Sequence, residues 1–577
     1  MIPELSNYMK RVRVGVSQAT DLSHLADWIC QNTTDPRDVE RSWSFDEHEY
    51  QVEILNDVSE DIVIRKCSQV GLSELSVRMC LAMAGMFKSI TGIYVLPTTG
   101  FATKFAKQRV DPVIDNSKVL KSMISKDTDS SELKRFGNSF LYFAGSQKEG
   151  ISVPANLLVI DELDFCSQRH LTTYSSRLRH ARPGYRRNFS TPTVHNFGVD
   201  KLFQASNQKF YTVKCRHCHD WVTPDPMTCL EIPGFEGTLS EFDRSDLYSS
   251  KVKPDDAFLR CPSCRSPIHW EDLCDPDKRR WVAARPDMAR AGYQVYPFDV
   301  PTYNTLPKII RQIEEYESIS DYYNFVWGLP HESADRTFME ASIRGNMRNI
   351  FIPANEEALE VQKMYGTVMG VDVGKTTWIM IGKPDGKFGL QIIYMEHFRQ
   401  TAECSIKERV KLLAKHFGVV RGVIDAGPDF STSQGVVWES PPTQFWACYY
   451  VNQSRTKIDN LTLKEDEGVV NAFRTGTFDA LCKAVNGGQI QFPVCDESET
   501  LIKHLKAMKR VETIDEEGER DARWVKVDDD HYAHTLNYLN MAATMLSERY
   551  FDAPIAAVPM MTKTRLKQYG DKDRSEI

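Results

Sequence analysis

The sequence predicts an α/β protein with two sheet domains and a small cysteine-rich module between them. In the first half, short β-branched or aromatic runs at 62–64, 93–96, 140–143 and 157–160 alternate with longer helical stretches, a rhythm typical of a mostly parallel sheet. A second α/β pattern begins at Gly366, with a strand over 367–373, a turn over 384–386 and a partner strand near 390–394. Two C-x-x-C pairs separate the two patterns.

The chain of 577 residues is long enough for about three folding units. With 41% hydrophobic and 26% charged residues it is typical of a packed globular protein. We divide it into a helical N-terminal segment (1–45), a first α/β domain (46–204), a cysteine module (205–300), a helical connector (301–360), a second α/β domain (361–550) and a tail (551–577).

Charge and cysteine usage exclude several classes of protein. A net charge of −8 argues against a protein that merely coats DNA, so any DNA contact is expected from local patches. Only four of the 14 cysteines have paired spacing, which favours a metal site in a reducing compartment over a disulfide framework. The N-terminus lacks the apolar core of a signal peptide, and no apolar stretch is long enough to predict a membrane span.

A degenerate phosphate-binding loop follows the first predicted strand. Such a loop needs a flexible turn at a helix N-terminus, a cation for the phosphates and a hydroxyl for Mg²⁺. Gly71 supplies the turn and Ser73 the hydroxyl, while Leu72 occupies the usual lysine position. Lys66, with Arg65 beside it, is the replacement candidate, and an ordinary βα turn is the alternative. Apolar residues spaced three or four apart from Leu72 onward predict the helix.

A buried strand over 157–160 ends in two acids, Asp161 and Glu162. In a nucleotide hydrolase the first acid would hold Mg²⁺ through water, and the second would orient and deprotonate the attacking water. A strand that simply ends in a solvated acidic loop is the alternative. The position of the pair after a candidate phosphate loop in the same α/β pattern favours the catalytic interpretation.

Two further features of the first domain fit a DNA motor. A short strand over 188–193 ends in small hydroxyl residues and resembles the coupling motif of helicase-like motors. That resemblance implies that such residues sense the γ-phosphate and makes Thr191 a candidate; a plain turn is the alternative. A basic run lies between this strand and the acid pair, and it could contact DNA phosphates or supply an arginine finger. A solvated basic face is the alternative for this run. Its members are Arg169, Arg177, Arg179, His180, Arg182, Arg186 and Arg187.

The cysteine module has the spacing of a structural zinc site. Cys215 and Cys218 form one C-x-x-C knuckle, and Cys261 and Cys264 form the other. Four thiolates around Zn²⁺ make a closed site with no open coordination position, so we expect it to stabilise structure and not to catalyse. His217, His219 and His269 lie nearby and are expected to be bystanders.

The second α/β pattern carries carboxylates at positions where burial is costly. Asp372 lies in the middle of an otherwise apolar strand, and Asp425 repeats the pattern later in the chain. Asp530 and His534 share one face at the start of a late helix. Two strand aspartates with acids on a late helix can bind two Mg²⁺ or Mn²⁺ ions and cleave a phosphodiester. As the third ligand we favour Asp530 over His534, because hard Mg²⁺ prefers oxygen. Loop and helix-cap roles are the alternative for each residue alone.

The order of these motifs resembles the lambda-type (GpA-like) large subunit of tailed-phage DNA-packaging terminases, over about residues 45–545. That family places its phosphate lysine at the front of the loop and its adenine contact on an upstream segment similar to 45–51, which makes Tyr50 and Gln51 candidates. It usually ends its nuclease motif with an aspartate where this chain has His534. The implied nucleotide contacts are Tyr50, Gln51, Arg65, Lys66, Gln69, Gly71, Ser73, Asp161 and Thr191.

The resemblance implies a P-loop, helicase-like ATPase followed by a ribonuclease-H-like nuclease. It implies ATP-driven movement of double-stranded DNA into a capsid, metal-dependent cutting of concatemeric DNA, and ATP, Mg²⁺ or Mn²⁺ and Zn²⁺ as cofactors. The expected partners are a small terminase subunit at 1–45, the portal at 551–577 and further copies in a ring, in the host cytoplasm. Two rivals remain: a helicase–nuclease of repair or replication, and a non-enzymatic zinc-dependent DNA-binding protein.

Overall fold

The computed structural model divides the chain into two compact units, Met1–Ser333 with Val511–Arg523, and Ala334–Arg510 with Trp524–Ile577. It describes residues 22–87, 89–147, 151–333, 336–354, 359, 364–385, 389–401, 405–427, 430–451, 460–514 and 520–550. The predicted tail, residues 1–21 of the predicted N-terminal segment and Gly386 of the predicted turn lie outside these residues. Within the described ranges, no helix has the length and apolar character needed to cross a membrane.

The first unit contains a two-stranded hairpin, a large mixed sheet and a small sheet. Their strands are β1 (Thr34–Asp35), β2 (Asp38–Ser42), β3 (Asp61–Lys66), β4 (Thr91–Leu96), β5 (Leu133–Phe136), β6 (Ser139–Gly145), β7 (Leu157–Asp161), β8 (Tyr185–Ser190), β9 (Lys209–Lys214), β10 (Trp221–Val222), β11 (Leu230–Glu231), β12 (Phe258–Arg260), β13 (Pro267–Ile268), β14 (Arg279–Ala283) and β15 (Ala291–Val295).

Parallel strands form the centre of the large sheet, in the order β9-β15-β3-β8-β7-β4-β6. Strands β5, β10 and β14 pair antiparallel at its margins. Since β3, β8 and β7 are successive parallel neighbours, their carboxyl ends lie along one edge of the sheet. The predicted phosphate loop, hydroxyl strand and acid pair therefore converge at that edge.

Helices cover this sheet. The longest, Leu72–Met86, buries Leu72, Leu75, Met79 and Met83, which follow the spacing expected from the sequence. The α-helices of this unit are Leu25–Asn32, Tyr50–Asn56, Leu72–Met86, Thr99–Phe105, Asp111–Asn116, Lys118–Met123, Gln168–Ser175, Gly198–Gln204, Pro226–Cys229, Arg244–Leu247, Trp270–Cys274, Leu306–Arg311 and Ile319–Asp321, with π-helical turns at Ala106–Val110 and Tyr322–Trp327.

The cysteine module has its own small antiparallel sheet, β11-β12-β13. Its apolar core includes Leu259 and Phe242, and it continues into the helix Leu306–Arg311 and the turn Tyr322–Trp327. The first half of the predicted connector (301–360) therefore packs on this module.

The second unit contains a nine-stranded mixed sheet. Its strands are β16 (Met347–Arg348), β17 (Thr367–Asp372), β18 (Thr377–Asp385), β19 (Gly389–Phe398), β20 (Val419–Asp425), β21 (Phe445–Val451), β22 (Leu461–Lys464), β23 (Val469–Phe473) and β24 (Ile490–Pro493). Their order is β16-β24-β19-β18-β17-β20-β21-β23-β22. Strands β25 (Met508–Ile514) and β26 (Arg520–Lys526) form a two-stranded sheet of their own.

Three antiparallel strands, β19-β18-β17, continue into three parallel partners, β20, β21 and β23. The helix His531–Tyr550 packs on this sheet at Gly370, where a Cβ atom would lie 2.2 Å from the carbonyl oxygen of Thr535. Only glycine allows this close approach of strand and helix backbones. The α-helices of this unit are Glu340–Gly345, Ile406–His416, Phe430–Trp438, Arg474–Asn486, Ser498–Lys506 and His531–Tyr550.

Two candidate active sites and a candidate metal centre

The loop after β3 has the backbone of a phosphate-binding turn. Gln69 and Gly71 have φ angles of 58° and 75°, and Gly71 caps the N-terminus of the helix Leu72–Met86. A Cβ on Gly71 would lie 2.9 Å from Nε2 of Gln51, so both conformation and space favour glycine. The loop directs backbone N–H groups of a 15-residue helix toward the sheet edge, where an anion is stabilised.

Lys66 ends β3 and points toward the acids that follow β7. Its Nζ atom lies 3.1 Å from Oε1 of Glu162, and the lysine is buried. Burial opposes the charge on Lys66, but Glu162 and Asp161 outweigh it and raise the lysine's pKa. The residue that the sequence proposed as the displaced phosphate lysine therefore lies beside both predicted acids as a stable cation.

Asp161 is fully buried beside Tyr94, whose hydroxyl donates to Oδ2 at 2.8 Å. Its other oxygen, Oδ1, has no hydrogen-bond partner among the described residues. Burial and the charge of Glu162 raise the pKa of Asp161 to about 7, against the lowering effects of Lys66, Tyr94 and Ser73. A buried carboxylate with an unpartnered oxygen beside a serine hydroxyl fits the requirements of Mg²⁺.

Glu162 has a left-handed backbone, with φ 54° and ψ 49°. This conformation is uncommon for a residue other than glycine and costs about 1 kcal/mol or more. The turn places the carboxylate on the Lys66 side, with 24% of the side chain exposed. Glu162 is thus accessible to a water molecule, whereas Asp161 is enclosed.

The structure does not support Arg65 as a nucleotide contact. Successive residues of a strand face opposite sides of the sheet, so Arg65 points away from Lys66. Its guanidinium donates to Asp200 and Gln294 and lies 4.3 Å from the ring centre of Phe203. Arg65 therefore forms a buried ion pair with Asp200 on the other face of the sheet.

Tyr50 and Gln51 support the phosphate loop from the preceding helix. The hydroxyl of Tyr50 donates to the carbonyl oxygen of Val70, and Nε2 of Gln51 lies 3.1 Å from the same oxygen. Oε1 of Gln51 is buried and has no partner among the described residues. Both predicted residues therefore lie at the loop, where they hold its backbone.

Thr191 follows β8, and its buried Oγ1 has no hydrogen-bond partner within the described part of the chain. The neighbouring hydroxyl strand is tied to Asp164, which accepts hydrogen bonds at 2.9 Å from both the N–H and Oγ1 of Thr193. Burial raises the pKa of Asp164 to about 7. The sequence analysis missed Asp164; its position two residues after Glu162 was the available signal.

The basic run divides into buried and exposed members. Arg187 is buried and donates to backbone carbonyls at 57–60, and Arg186 lies 3.8 Å from Asp61, so both have structural partners. Arg169, Arg179, His180 and Arg182 are exposed. Only the exposed members are available for DNA or for a neighbouring copy.

The four predicted cysteines converge. Their sulfur atoms lie within 4.8 Å of one another, with 3.8 Å between Cys215 and Cys264 and between Cys218 and Cys261. Within the described part of the chain, these four cysteines form the group of neighbouring ligand atoms that could hold a metal ion.

The two cysteine knuckles have matching backbones. The backbone carbonyl oxygen of Cys215 accepts a hydrogen bond from the N–H of His219, and that of Cys261 accepts one from the N–H of Arg265, each at 2.9 Å. His219 and Arg265 have φ angles of 62° and 64°. Two equivalent turns that present four sulfurs to one point fit a tetrahedral thiolate site.

In the second unit, Asp372 and Asp425 end the neighbouring parallel strands β17 and β20. Burial and the charge of Asp372 raise the pKa of Asp425 to about 6. Two carboxylates that disfavour each other's charge at a sheet edge fit a divalent cation, which would remove the repulsion.

Asp530 and His534 form a separate pair at the start of the late helix. His534 Nε2 lies 3.2 Å from Oδ2 of Asp530, and Lys526 Nζ lies 3.3 Å from Oδ1. Burial alone would raise the pKa of Asp530, but His534 and Lys526 outweigh it and lower that pKa to about 2. Both oxygens of Asp530 thus have basic partners, and Asp530 does not join Asp372 and Asp425 in a preformed ligand group among the described residues.

The helix residue in contact with Asp372 was not among the residues predicted from the sequence. His531 Nδ1 lies 2.9 Å from Oδ2 of Asp372, and this contact raises the pKa of His531. The ring stacks on Trp378, with centres 5.2 Å apart and planes 7° from parallel. In this geometry the helix residue that contacts Asp372 is His531, and the choice of Asp530 as the third group stays a prediction. Its place directly after Asp530 was the missed signal.

Comparison with known families gives a match over the first unit. Residues 39–278 match the family model described as phage terminase large subunit gpA, ATPase domain. This range includes the phosphate loop, the acid pair and all four clustered cysteines. No curated protein matches the sequence.

Solved structures give a match over most of the chain. The large terminase of bacteriophage HK97 is similar with a TM-score of 0.50 at 9% identity, covering 91% of this chain and 100% of that one. This likeness concerns the fold. A second large terminase, from a thermophilic bacteriophage, matches at 11% identity over 85% of this chain and 94% of that one, with a TM-score of 0.28. The nuclease of the large terminase from thermophilic phage G20c matches at 14% identity over 33% and 93%, with a TM-score of 0.23.

Proposed function

We propose that this chain, whose residues 39–278 match the gpA-like family of phage terminase large subunits, is a terminase large subunit that hydrolyses ATP to drive double-stranded DNA into a viral capsid. One observation supports the motor most directly: Lys66, Asp161 and Glu162 meet at the sheet edge beside the loop of Gly71. A cation, a metal-binding acid and a base at a helix N-terminus are the parts that phosphoryl transfer requires.

The residues divide the work by position. Lys66 carries a stable charge toward the phosphates, and the N–H groups at the start of the helix Leu72–Met86 face the same point. Ser73 and Asp161 would hold Mg²⁺, which neutralises phosphate charge when bound. Glu162 is the more exposed acid and would orient and deprotonate the attacking water. Thr191, at the end of the intervening strand β8, would sense the γ-phosphate.

We also propose that the second unit is a metal-dependent DNA nuclease. Asp372 and Asp425 would hold Mg²⁺ or Mn²⁺, which supplies a Lewis acid for phosphodiester cleavage when bound. His531, hydrogen-bonded to Asp372, is added to the set, and Asp530 and His534 pair with each other at the start of the same helix. The antiparallel–parallel order of the sheet supports the ribonuclease-H-like fold expected from the sequence.

The four-cysteine cluster supports one structural Zn²⁺ in the module of the first unit. The proposed partners rest on the family alone: a small terminase subunit at 1–45, the portal at 551–577, and further copies in a ring. The exposed arginines Arg169, Arg179 and Arg182 are the proposed contacts for DNA or a neighbouring active site. The proposed compartment is the host cytoplasm.

The deciding experiment is ATP hydrolysis measured with and without DNA and with and without purified capsids. A packaging motor should be stimulated by DNA and should protect DNA from added nuclease only when capsids are present. Strand separation on a forked duplex would favour the helicase–nuclease rival. No ATP turnover under any condition would favour the non-enzymatic rival.

A further inference from the structure

Arg474 occupies a distinctive position beside the late helix of the second unit. It begins the helix Arg474–Asn486, directly after β23, and β23 is the parallel neighbour of β21. Its Nη2 atom lies 3.3 Å from Nε2 of His534. The guanidinium carbon lies 5.7 Å from the ring centre of Tyr450 and 5.9 Å from that of Phe478. Two aromatic faces therefore hold the cation next to His534.

This arginine has no carboxylate partner within ion-pair distance among the described residues, and its buried Nε atom has no hydrogen-bond acceptor there. Other arginines of the same unit are paired with acids. Arg510 lies 2.8 Å from Asp479, and Arg409 lies 2.7 Å from Glu396. A guanidinium without an ion-pair partner and with an unsatisfied buried donor lowers the stability of the folded protein. An anion that binds from solvent would supply the missing acceptor.

Arg474 is connected to the candidate cleavage site through His534. That histidine lies 3.2 Å from Asp530, and it is among the groups that oppose the rise in the pKa of Asp425. Nδ1 of His534 lies 3.2 Å from the hydroxyl of Tyr450, so the ring is fixed on both sides. The cation of Arg474 is thus held at the same sheet edge as Asp372 and Asp425, on the His534 side.

We propose that Arg474 binds a non-bridging oxygen of the DNA phosphate presented to Asp372 and Asp425. This inference rests on the proposed nuclease function and adds the protein's own phosphate contact to it. Guanidinium suits the role because its planar fork can donate two hydrogen bonds to one phosphate. A fixed cation there would also stabilise the negative charge that develops on the phosphate during cleavage.

Removal of the guanidinium should impair cutting without disturbing the metal ligands. We expect Arg474→Ala to lower kcat/KM for DNA cleavage by about 100-fold or more, as for other lost transition-state donors. Arg474→Lys should recover part of the loss, since it keeps the charge without the fork. Arg344→Ala is the matched control, because Arg344 is an exposed arginine of the same unit already paired with Glu499. ATP hydrolysis should be unchanged in all three variants.

Two further measurements separate a phosphate contact from a structural role. Calorimetric titration with Mn²⁺ alone should give the same affinity for Arg474→Ala and the unsubstituted protein. DNA binding in Ca²⁺ should weaken, and the slope of log K against log salt should fall by about 0.9, the value for one lost phosphate contact.

An unchanged salt slope in Arg474→Ala would overturn the proposal, whether or not the unsubstituted protein cuts DNA. So would normal cleavage by that variant, or a loss of Mn²⁺ binding, which would mean that Arg474 only supports the metal ligands. If the unsubstituted protein fails to cut DNA while the salt slope falls as expected, the nuclease function is overturned and the phosphate contact stands.

Discussion

The Nζ atom of Lys66 lies 3.1 Å from Oε1 of Glu162, so the candidate phosphate cation and the candidate base form one charge pair. A nucleotide phosphate would compete with Glu162 for the same ammonium group. The two residues are nevertheless separable by mutation, because Lys66 is proposed to act on ATP binding and Glu162 on hydrolysis.

Glu162→Gln should leave ATP binding intact and lower kcat at least ~100-fold, the usual contribution of a positioned base. Binding is checked with a fluorescent ATP analogue and turnover by phosphate release. Glu60→Gln, at an exposed acid just before β3, is the control and should behave as the unsubstituted protein. Near-normal turnover in Glu162→Gln would mean that the acid pair is misassigned.

Lys66→Ala should weaken ATP binding or abolish turnover, because it removes the cation that faces the loop. Arg65→Ala should act differently. It breaks a buried ion pair with Asp200, so it should lower stability by about 3 kcal/mol, seen as a lower Tm. Normal ATP hydrolysis by a folded Lys66→Ala protein contradicts the displaced-lysine interpretation.

The protein purified without chelator should contain about one zinc per chain, and Cys215→Ser should lose it. Cys274→Ser provides the control, since Cys274 is an exposed free cysteine of the same module. Elemental analysis gives the zinc content of each protein. Zinc-free native protein, or full zinc in Cys215→Ser, would refute the site.

Asp372→Ala and Asp425→Ala should both abolish Mg²⁺- or Mn²⁺-dependent plasmid cleavage and retain ATP hydrolysis. Their carboxylates end adjacent strands and are the proposed metal ligands. The exposed Asp529, near the start of the late helix, gives the control Asp529→Ala. In crystals soaked with Mn²⁺, the anomalous signal should lie beside Asp372 and Asp425; a signal elsewhere would remove the assignment.

Gly370→Ala should impair the same nuclease through packing alone. The added Cβ would lie 2.2 Å from the Thr535 carbonyl oxygen and 2.5 Å from the Leu539 nitrogen, so the helix that carries His531 must shift. Overpacking of this kind costs about 1–3 kcal/mol. Gly345→Ala, where nothing lies within 4 Å of the added atom, should have no effect on cleavage or Tm. Equal Tm values for both variants would contradict the strand–helix contact.

The sequence was sufficient to predict the strands that form the site edge of each sheet. It was less informative about which side chains face those edges. Strand patterns located β3, β7, β17 and β20, because buried parallel strands are continuous apolar runs. The structure extends β3 to Lys66, which the sequence had placed in the loop. The cluster of four sulfur atoms also followed from spacing. Arg65 and Lys66 look alike as two adjacent basic residues until the register of the strand decides which one faces the site.

The late helix shows the second limit. Asp530, His531 and His534 are within one turn and a half, and each is a reasonable ligand by residue type. Which of them meets Asp372 depends on the rotation of the helix about its axis. That rotation is set by long-range packing at Gly370, which no local pattern encodes. Arg474 lies 60 positions from its partner His534 and was invisible for the same reason.

Lys66 belongs to a strand and not to the flexible loop, and this restricts how the gene can vary. Deletion or insertion of one residue within Asp61–Lys66 would reverse the pleat and turn a different side chain toward the phosphates. Length changes between Lys66 and Gly71 leave the direction of the lysine untouched, but they would displace the carbonyl oxygen of Val70 that Tyr50 and Gln51 hold. Functional variants from a library of single-codon insertions should therefore be missing both from β3 and from the loop that follows it.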